Sequence, residues 1–353
     1  MYRLVEYRLL VQGLFYRLVS SLASVTPTIH TCKRATILRK SVVVPVCLIA
    51  TVLLFYSCLL SFQPLSLLFY FLPGCYVVSG GDGSQKHTSP AHFVIEESDF
   101  CHRRPDLFIV AYVHSSIASV EKRMDTRTTW ASAGAYDSNV KMAVVFMVGL
   151  AKTTEEQNIV NQESILFRDI VQGNYTDTYH LLSHKALTSL QWVTQHCSHV
   201  PWILHADDDV LIDIFLLSKF LESSASPHSF LCYTWETSEV RRIGRWCVRP
   251  EEFPESMYPP YCGGGAWAMA TPLVSRLLKA ATHAPFLWVD DAYITGVLAK
   301  YADVGHSNEL KKYIRREGIA EDDLGKMMIW FELNDSRKKW WLRLLLHHKY
   351  LVL

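Results

Sequence analysis

The chain has almost no net charge: 35 lysines and arginines face 34 aspartates and glutamates, a formal +1. That balance removes any global electrostatic argument for nucleic-acid binding. No Cys-x-x-Cys pair occurs among its nine cysteines, so a structural zinc site has no ligand spacing to rest on. No EF-hand spacing occurs either. The Gly263-Gly264-Gly265 run lacks the Lys-Ser/Thr ending of a phosphate-binding P-loop. The most telling absence is local. Between residues 41 and 81 there is no charged side chain.

Within that gap, residues 42–62 are apolar enough and long enough to cross a bilayer as a helix, which takes roughly 20 residues. Lys33, Arg34, Arg39 and Lys40 stand just before it. Basic residues on that flank predict a cytosolic N-terminus, a membrane segment over 41–79 and everything after about residue 80 in the lumen. A cleaved signal peptide fits less well, because the run starts about 40 residues in and is too long for its apolar core. Residues 1–40 are read as a cytosolic tail and assigned no function. Residues 80–104, rich in Gly, Ser, His and charge, read as a stem linker.

Five cysteines follow the membrane segment: Cys101, Cys197, Cys232, Cys247 and Cys262. An oxidising lumen allows disulfides, and an odd count predicts at least one free or intermolecular thiol. Asn174-Tyr175-Thr176 and Asn334-Asp335-Ser336 are glycosylation sequons, which agree with a lumenal domain.

After residue 105, apolar strand-like runs at 106–113, 141–149, 202–206 and 230–235 alternate with helical periodicity at 121–130, 155–167, 181–196, 214–221 and 271–281. That alternation predicts an α/β fold. The most informative stretch runs from Trp202 to Asp213. A buried strand is followed at once by Asp207-Asp208-Asp209. Three adjacent carboxylates repel one another unless a cation is present. At the C-terminal end of a strand in an α/β sheet, they face the crevice where ligands bind. Hard divalent cations take such oxygen ligands. Asp207 and Asp209 are two apart and point the same way in extended chain.

Other stretches read less sharply from the residues alone. Arg123 and Arg127 lie four apart and share a helix face, from which they either present two guanidiniums to a diphosphate or form a solvated basic face. The segment Tyr258-Pro259-Pro260-Tyr261 with Gly263, Gly264, Gly265 and Trp267 reads as the wall of a sugar or acceptor pocket, or as a tight turn with core aromatics. Asp290-Asp291 stand at a helix start, either as caps or as a general base.

Taken in order, these stretches resemble the β-1,3-galactosyltransferase family, relatives of the β-1,3-N-acetylglucosaminyltransferases and Fringe. The residues that carry the resemblance are Arg123, Arg127, Thr129 and Trp130; then Glu163, Asp169, Asp177-Thr178-Tyr179, Leu182 and Lys185. The Asp triplet follows, then Tyr258, Pro259, Tyr261 and Gly264, and finally Asp290-Asp291 with Gly296. Three positions depart from the pattern: His205 stands for a lysine, Trp267 for a tyrosine and Asp290 for a glutamate.

The resemblance implies a GT-A-like mixed sheet flanked by helices over residues 105–320, followed by a C-terminal extension over 321–353. It implies an inverting, Mn²⁺-dependent transfer of galactose or N-acetylglucosamine from a UDP-sugar to a glycan hydroxyl in β-1,3 linkage. Asp209 and Asp207 would hold the metal, and Arg123, Arg127, Lys185, Asp207 and Asp208 would serve donor binding. Asp291 is the favoured base, with Asp290 the alternate. The implied partners are the UDP-sugar, a glycan acceptor and the lipid bilayer, in a single-pass type II protein of the Golgi membrane. One rival is an inactive relative that binds glycans or chaperones another transferase; the intact triplet and Asp291 argue against it. Another is an anchored Ca²⁺-type protein. In the extension, Trp340-Trp341 and the Leu344–Leu346 run are expected to pack on the domain, a membrane surface being the alternative.

Overall fold

The structure, a computed structural model, describes residues 92–223, 225–316, 318–331 and 337–351. They all fall in one compact unit that begins at Pro73. The expected tail and membrane segment, and the sequon at Asn334, lie outside the described residues. Among the described residues no helix is long and apolar enough to cross a membrane.

An eight-stranded mixed sheet forms the centre, in the order β1-β4-β3-β2-β5-β10-β7-β11. Its inner members are β2 (Ile109–His114), β3 (Met142–Leu150), β4 (Ile170–Thr176) and β5 (Trp202–Asp207), all mutually parallel. Next to β5 lies β10 (Tyr261–Ala270), antiparallel to it and to β7 (Ser229–Trp235). The edges are β1 (Phe93–Ile95) and β11 (Gly305–Ser307).

Strands buried on both faces read as continuous apolar runs, and β2 (IVAYVH) shows why. Val110 and Tyr112 join one core, whereas Ile109, Ala111 and Val113 join the other. On the first face pack α3 (Leu182–His196) and α5 (Leu273–Ala281), through Leu187, Leu190, Leu273 and Leu277. On the second lie α2 (Thr154–Phe167) and α4 (Ile214–Ser223), through Val160, Phe215 and Leu217. Helix α2 starts where Thr153 caps the amide of Glu156. It ends at Arg168, which takes a left-handed φ of 52°.

The structure corrects the sequence reading in four places. The glycine run is a strand, not a tight turn: β10 carries it across the sheet, with the register slipping between Cys262 and Trp267. The stem reading stops short, because β1 pairs with β4, and Phe100 and Cys101 are buried. The stretch after residue 320, set apart as an extension, belongs to the same unit, and Trp341, Leu344 and Leu345 pack on it as expected. There β13 (Ile329–Trp330) pairs with β6 (Leu211–Ile212), and α6 (Arg337–His347) buries Trp341, Leu344 and Leu345. The rings of Trp341 and Phe215 stack with centroids 5.6 Å apart. Finally, no free thiol remains among the five cysteines. Disulfides join Cys101 to Cys197 and Cys232 to Cys262, and Cys247 is disulfide-bonded as well.

Candidate functional site

The triplet sits at the C-terminal edge of β5. Asp207 closes the strand, and Asp208 and Asp209 turn toward β6. In the neighbouring β2, His114 stands opposite Asp207 and Tyr112 opposite His205. On the other side, β10 places Ala266 opposite Ala206. The ends of β2 and β5 and the start of β10 therefore meet at one edge, the geometry of a ligand crevice.

Each aspartate has a different neighbourhood. Asp208 is buried; it accepts from Ser115 Oγ at 2.8 Å and from Lys122 Nζ at 2.9 Å. Lys122 belongs to α1 (Val120–Thr128) and also reaches Asp209 at 3.4 Å. Its ammonium supplies some of the positive charge that three adjacent carboxylates need. Asp207 is the least compensated. Desolvation in the cleft, then the carboxylates of Asp290, Asp209, Asp208 and Asp291, raise its pKa well above the usual range. This donor set fits a hard divalent cation: Asp208 is committed to Ser115 and Lys122, which leaves Asp207 and Asp209 to offer oxygens.

The second acidic pair faces the same edge. Asp291 opens a wide π-type turn over Ala292–Leu298, its Oδ1 accepting from the Ala292 amide at 2.7 Å. Such turns concentrate at functional sites. Two motif glycines and Thr295 lock it in place. Gly264 lets β10 pass close by, since a Cβ there would lie 3.2 Å from Asp291 Oδ2. Gly296 does the same for the Pro259–Tyr261 turn, where a Cβ would meet Tyr261 Cβ at 3.1 Å. Thr295 Oγ1 donates to the Asp291 carbonyl at 2.6 Å and accepts from the Cys262 amide at 2.9 Å. Burial pushes Asp290 up to about 6; burial and then the Asp290 charge push Asp291 up to about 7. The two titrate as a pair. His114 Nδ1 lies 3.7 Å from Asp290 Oδ2 and His205 Nε2 lies 4.0 Å from Asp207 Oδ1. Burial lowers both imidazoles, His205 to about 4, so the rings are neutral.

The basic residues expected to contact a donor are already engaged. The Arg123 guanidinium is fully buried, bonded to Glu163 at 2.8 and 2.6 Å and to the carbonyls of Ser116 and Ile117. Arg127 grips Asp169 with two bonds of 2.8 and 2.7 Å and Glu163 with a third. Lys185 Nζ bonds the Ser115 carbonyl at 2.8 Å and Asp177 at 2.7 Å. Arg123 and Lys185 thus shape the 115–117 loop from behind, and Arg127 steadies the Glu163 that Arg123 holds. The acidic residues of the sequence pattern are the partners of its basic ones.

The expected pocket wall also divides. Gly264 faces Asp291, whereas Trp267 is core: it is 2% exposed and stacks on His205 at 5.1 Å. Tyr258 is buried against Phe253 and Tyr261, and Gly265 lies under the Phe331 ring. Tyr261 keeps partial exposure and holds Ser238 Oγ at 3.2 Å. The sequon residue Asn174 is exposed on β4.

Ser115, Lys122, His114 and Arg337 were not singled out from sequence. His114 ends β2 and Ser115 follows it, at the edge where ligands gather, and that position was a usable signal. Arg337 had none, because it reaches the triplet from a distant helix.

The family model described as galactosyltransferase matches residues 121–309, more than half of the chain. Mouse beta-1,3-galactosyltransferase 1 is 26% identical over 212 residues, which cover 59% of this chain and 64% of the mouse protein. Human beta-1,3-galactosyltransferase 2 is 26% identical over 223 residues, covering 61% and 52%. The chain therefore spans less than two thirds of the length of these relatives. Among solved structures, the apo WbbM bifunctional glycosyltransferase aligns with a TM-score of 0.35 at 9% identity, covering 69% of this chain and 45% of that one.

Proposed function

The chain belongs to the galactosyltransferase family, and on that premise we propose that it is an inverting hexosyltransferase. In this reading it moves galactose or N-acetylglucosamine from a UDP-sugar to a glycan hydroxyl and forms a β-1,3 linkage. The observation that carries the reading is the meeting of two acidic groups at one sheet edge. The Asp triplet ends β5, and Gly264 of the adjacent β10 seats Asp291 beside it.

Asp209 and Asp207 would hold a divalent cation such as Mn²⁺, which when bound neutralises charge on the departing diphosphate. Lys122 leans on Asp208 and Asp209 and adds a positive charge on the donor side. Asp291 accepts the proton of the acceptor hydroxyl, whose oxygen attacks the anomeric carbon from the face opposite the diphosphate. One C–O bond forms, the bond to phosphate breaks and UDP departs, so the configuration inverts. A carboxyl raised toward neutrality suits a general base, and Asp290 is the alternate. Arg123 and Lys185 act as positioning residues through the 115–117 loop.

The same proposal keeps the protein a single-pass type II protein of the Golgi membrane. The uncharged 41–81 stretch behind four basic residues supports it. So do the disulfides, which need an oxidising compartment, and the exposed sequon at Asn174. Hydrolysis of a UDP-sugar panel with and without Mn²⁺ tests the reading. Metal-dependent release of UDP from one donor is expected; failure to bind any UDP-sugar overturns it.

A further inference from the structure

His114, His205 and Asp207 each place one ligand atom within 4.8 Å of the other two. They come from the paired ends of β2 and β5, and both imidazoles are more than nine-tenths buried. The rings meet edge to face with centroids 4.5 Å apart.

The hydrogen-bond network fixes both tautomers. His205 Nε2 lies 3.1 Å from the Gly264 carbonyl, which can only accept, so Nε2 carries the proton. His114 Nε2 lies 3.3 Å from Ser189 Oγ. That hydroxyl spends its own proton on the Lys185 carbonyl at 2.8 Å, so it accepts from His114. In both rings Nδ1 is left with a bare lone pair, and both Nδ1 atoms are buried without a hydrogen-bond partner. A buried polar atom left unsatisfied is costly. Two in contacting rings need a reason. His114 Nδ1 in addition faces Asp290 Oδ2 at 3.7 Å. A lone pair facing a carboxylate is repulsive unless a positive charge comes between them.

An imidazole whose one nitrogen donates to a fixed hydroxyl, with the other bare, is the arrangement found behind metal-bound histidine. His114 has it, with Nδ1 toward Asp290. His205 instead turns Nε2 toward Asp207, 4.0 Å from Oδ1, and would exchange its bond to Gly264 for the cation. Two imidazoles and one carboxylate suit borderline cations such as Zn²⁺ and Co²⁺ better than Mn²⁺ or Mg²⁺, which favour all-oxygen sites. We propose that His114, His205 and Asp207 form a mixed nitrogen–oxygen site for a borderline divalent cation at the floor of the cleft. The inference goes beyond the proposed transfer and does not require it; the two share only Asp207.

The test is titration of the full-length protein with Co²⁺ alone, without nucleotide, followed by its visible ligand-field spectrum. Binding with the intense band of a low-coordinate, nitrogen-ligated ion is expected, with displacement by Zn²⁺ and not by Mg²⁺. His114→Gln and His205→Gln should each weaken Co²⁺ binding at least about tenfold. Binding that keeps the weak spectrum of an all-oxygen ion, or that both variants leave unchanged, overturns the site. Should a variant fail to fold, the wild-type protein still decides. Co²⁺ must shift the exchangeable Nε2–H proton resonance of His114, and an absence of shifted imidazole N–H signals contradicts the proposal. Because no donor is present, failure here leaves the transferase reading intact, and failure of UDP-sugar turnover leaves this site intact.

Discussion

Arg337 Nη1, on the last helix, donates to the main-chain oxygen of Asp208 at 2.6 Å. Its side chain is buried and also touches Thr126 Oγ1 and Asp125. A residue well outside the family match thus braces the triplet turn. Beside it, His348 holds Asp213 at 2.7 Å and β13 pairs with β6, so both sides of the turn depend on the C-terminal segment. Replacing Arg337 with Met keeps the bulk and removes the donor, leaving the Asp208 carbonyl buried and unmet. Urea unfolding should show a loss of roughly 1–3 kcal/mol, with weaker Mn²⁺ dependence of donor turnover. Stability and metal response equal to wild type would show that the brace is idle.

A second prediction concerns Glu163, which takes both Arg123 and Arg127. Glu163→Gln leaves two buried guanidiniums short of one negative charge, and breaking such a pair costs about 3–5 kcal/mol. The pH dependence has a definite sign. Burial raises the Glu163 pKa, but the hydrogen bonds and charges of Arg123 and Arg127 outweigh it and hold the carboxyl below the usual range. A depressed folded value means the stabilisation is complete above the unfolded pKa of about 4.3. It is lost as pH falls through the folded value. Urea midpoints followed from pH 7 into acid should fall more steeply for wild type than for Glu163→Gln.

Gly264→Ala tests the seat of Asp291. The added Cβ would lie 3.2 Å from Asp291 Oδ2 and 3.6 Å from its Cβ. The carboxyl must shift by a few tenths of an ångström, and small misplacements of a reacting group cost rate. Turnover should fall about tenfold or more while the thermal midpoint moves little. Gly265→Ala gives the contrast. Its Cβ would meet the Phe331 ring at 2.9 Å, and overpacking of that kind costs about 1–3 kcal/mol of stability.

These residues also mark what the sequence could tell. The order of strands and helices was legible because apolar runs and helical periodicity follow from burial on two faces of one sheet. The triplet was legible because carboxylates at the C-terminal end of a buried strand face the crevice where ligands bind. Local pattern failed wherever a tertiary partner decides. Glycines disfavour strands, yet pairing with β5 and β7 carries Cys262–Trp267 across the sheet. Arg123 and Arg127 looked available until Glu163 and Asp169, some forty residues on, were seen to occupy them. Trp267 looked like a sugar platform until His205 was seen stacked on it.

The measurement that tests the account most directly is transfer by wild type and by Asp291→Asn at saturating UDP-sugar and Mn²⁺, with donor affinity measured on the same samples. The account expects donor binding within about twofold of wild type and turnover lower by about 10²–10⁴, the usual share of a general base. In wild type, kcat/KM should fall as pH drops below about 7, as the Asp290–Asp291 pair takes up protons. Wild-type turnover in Asp291→Asn would contradict the assignment of the base.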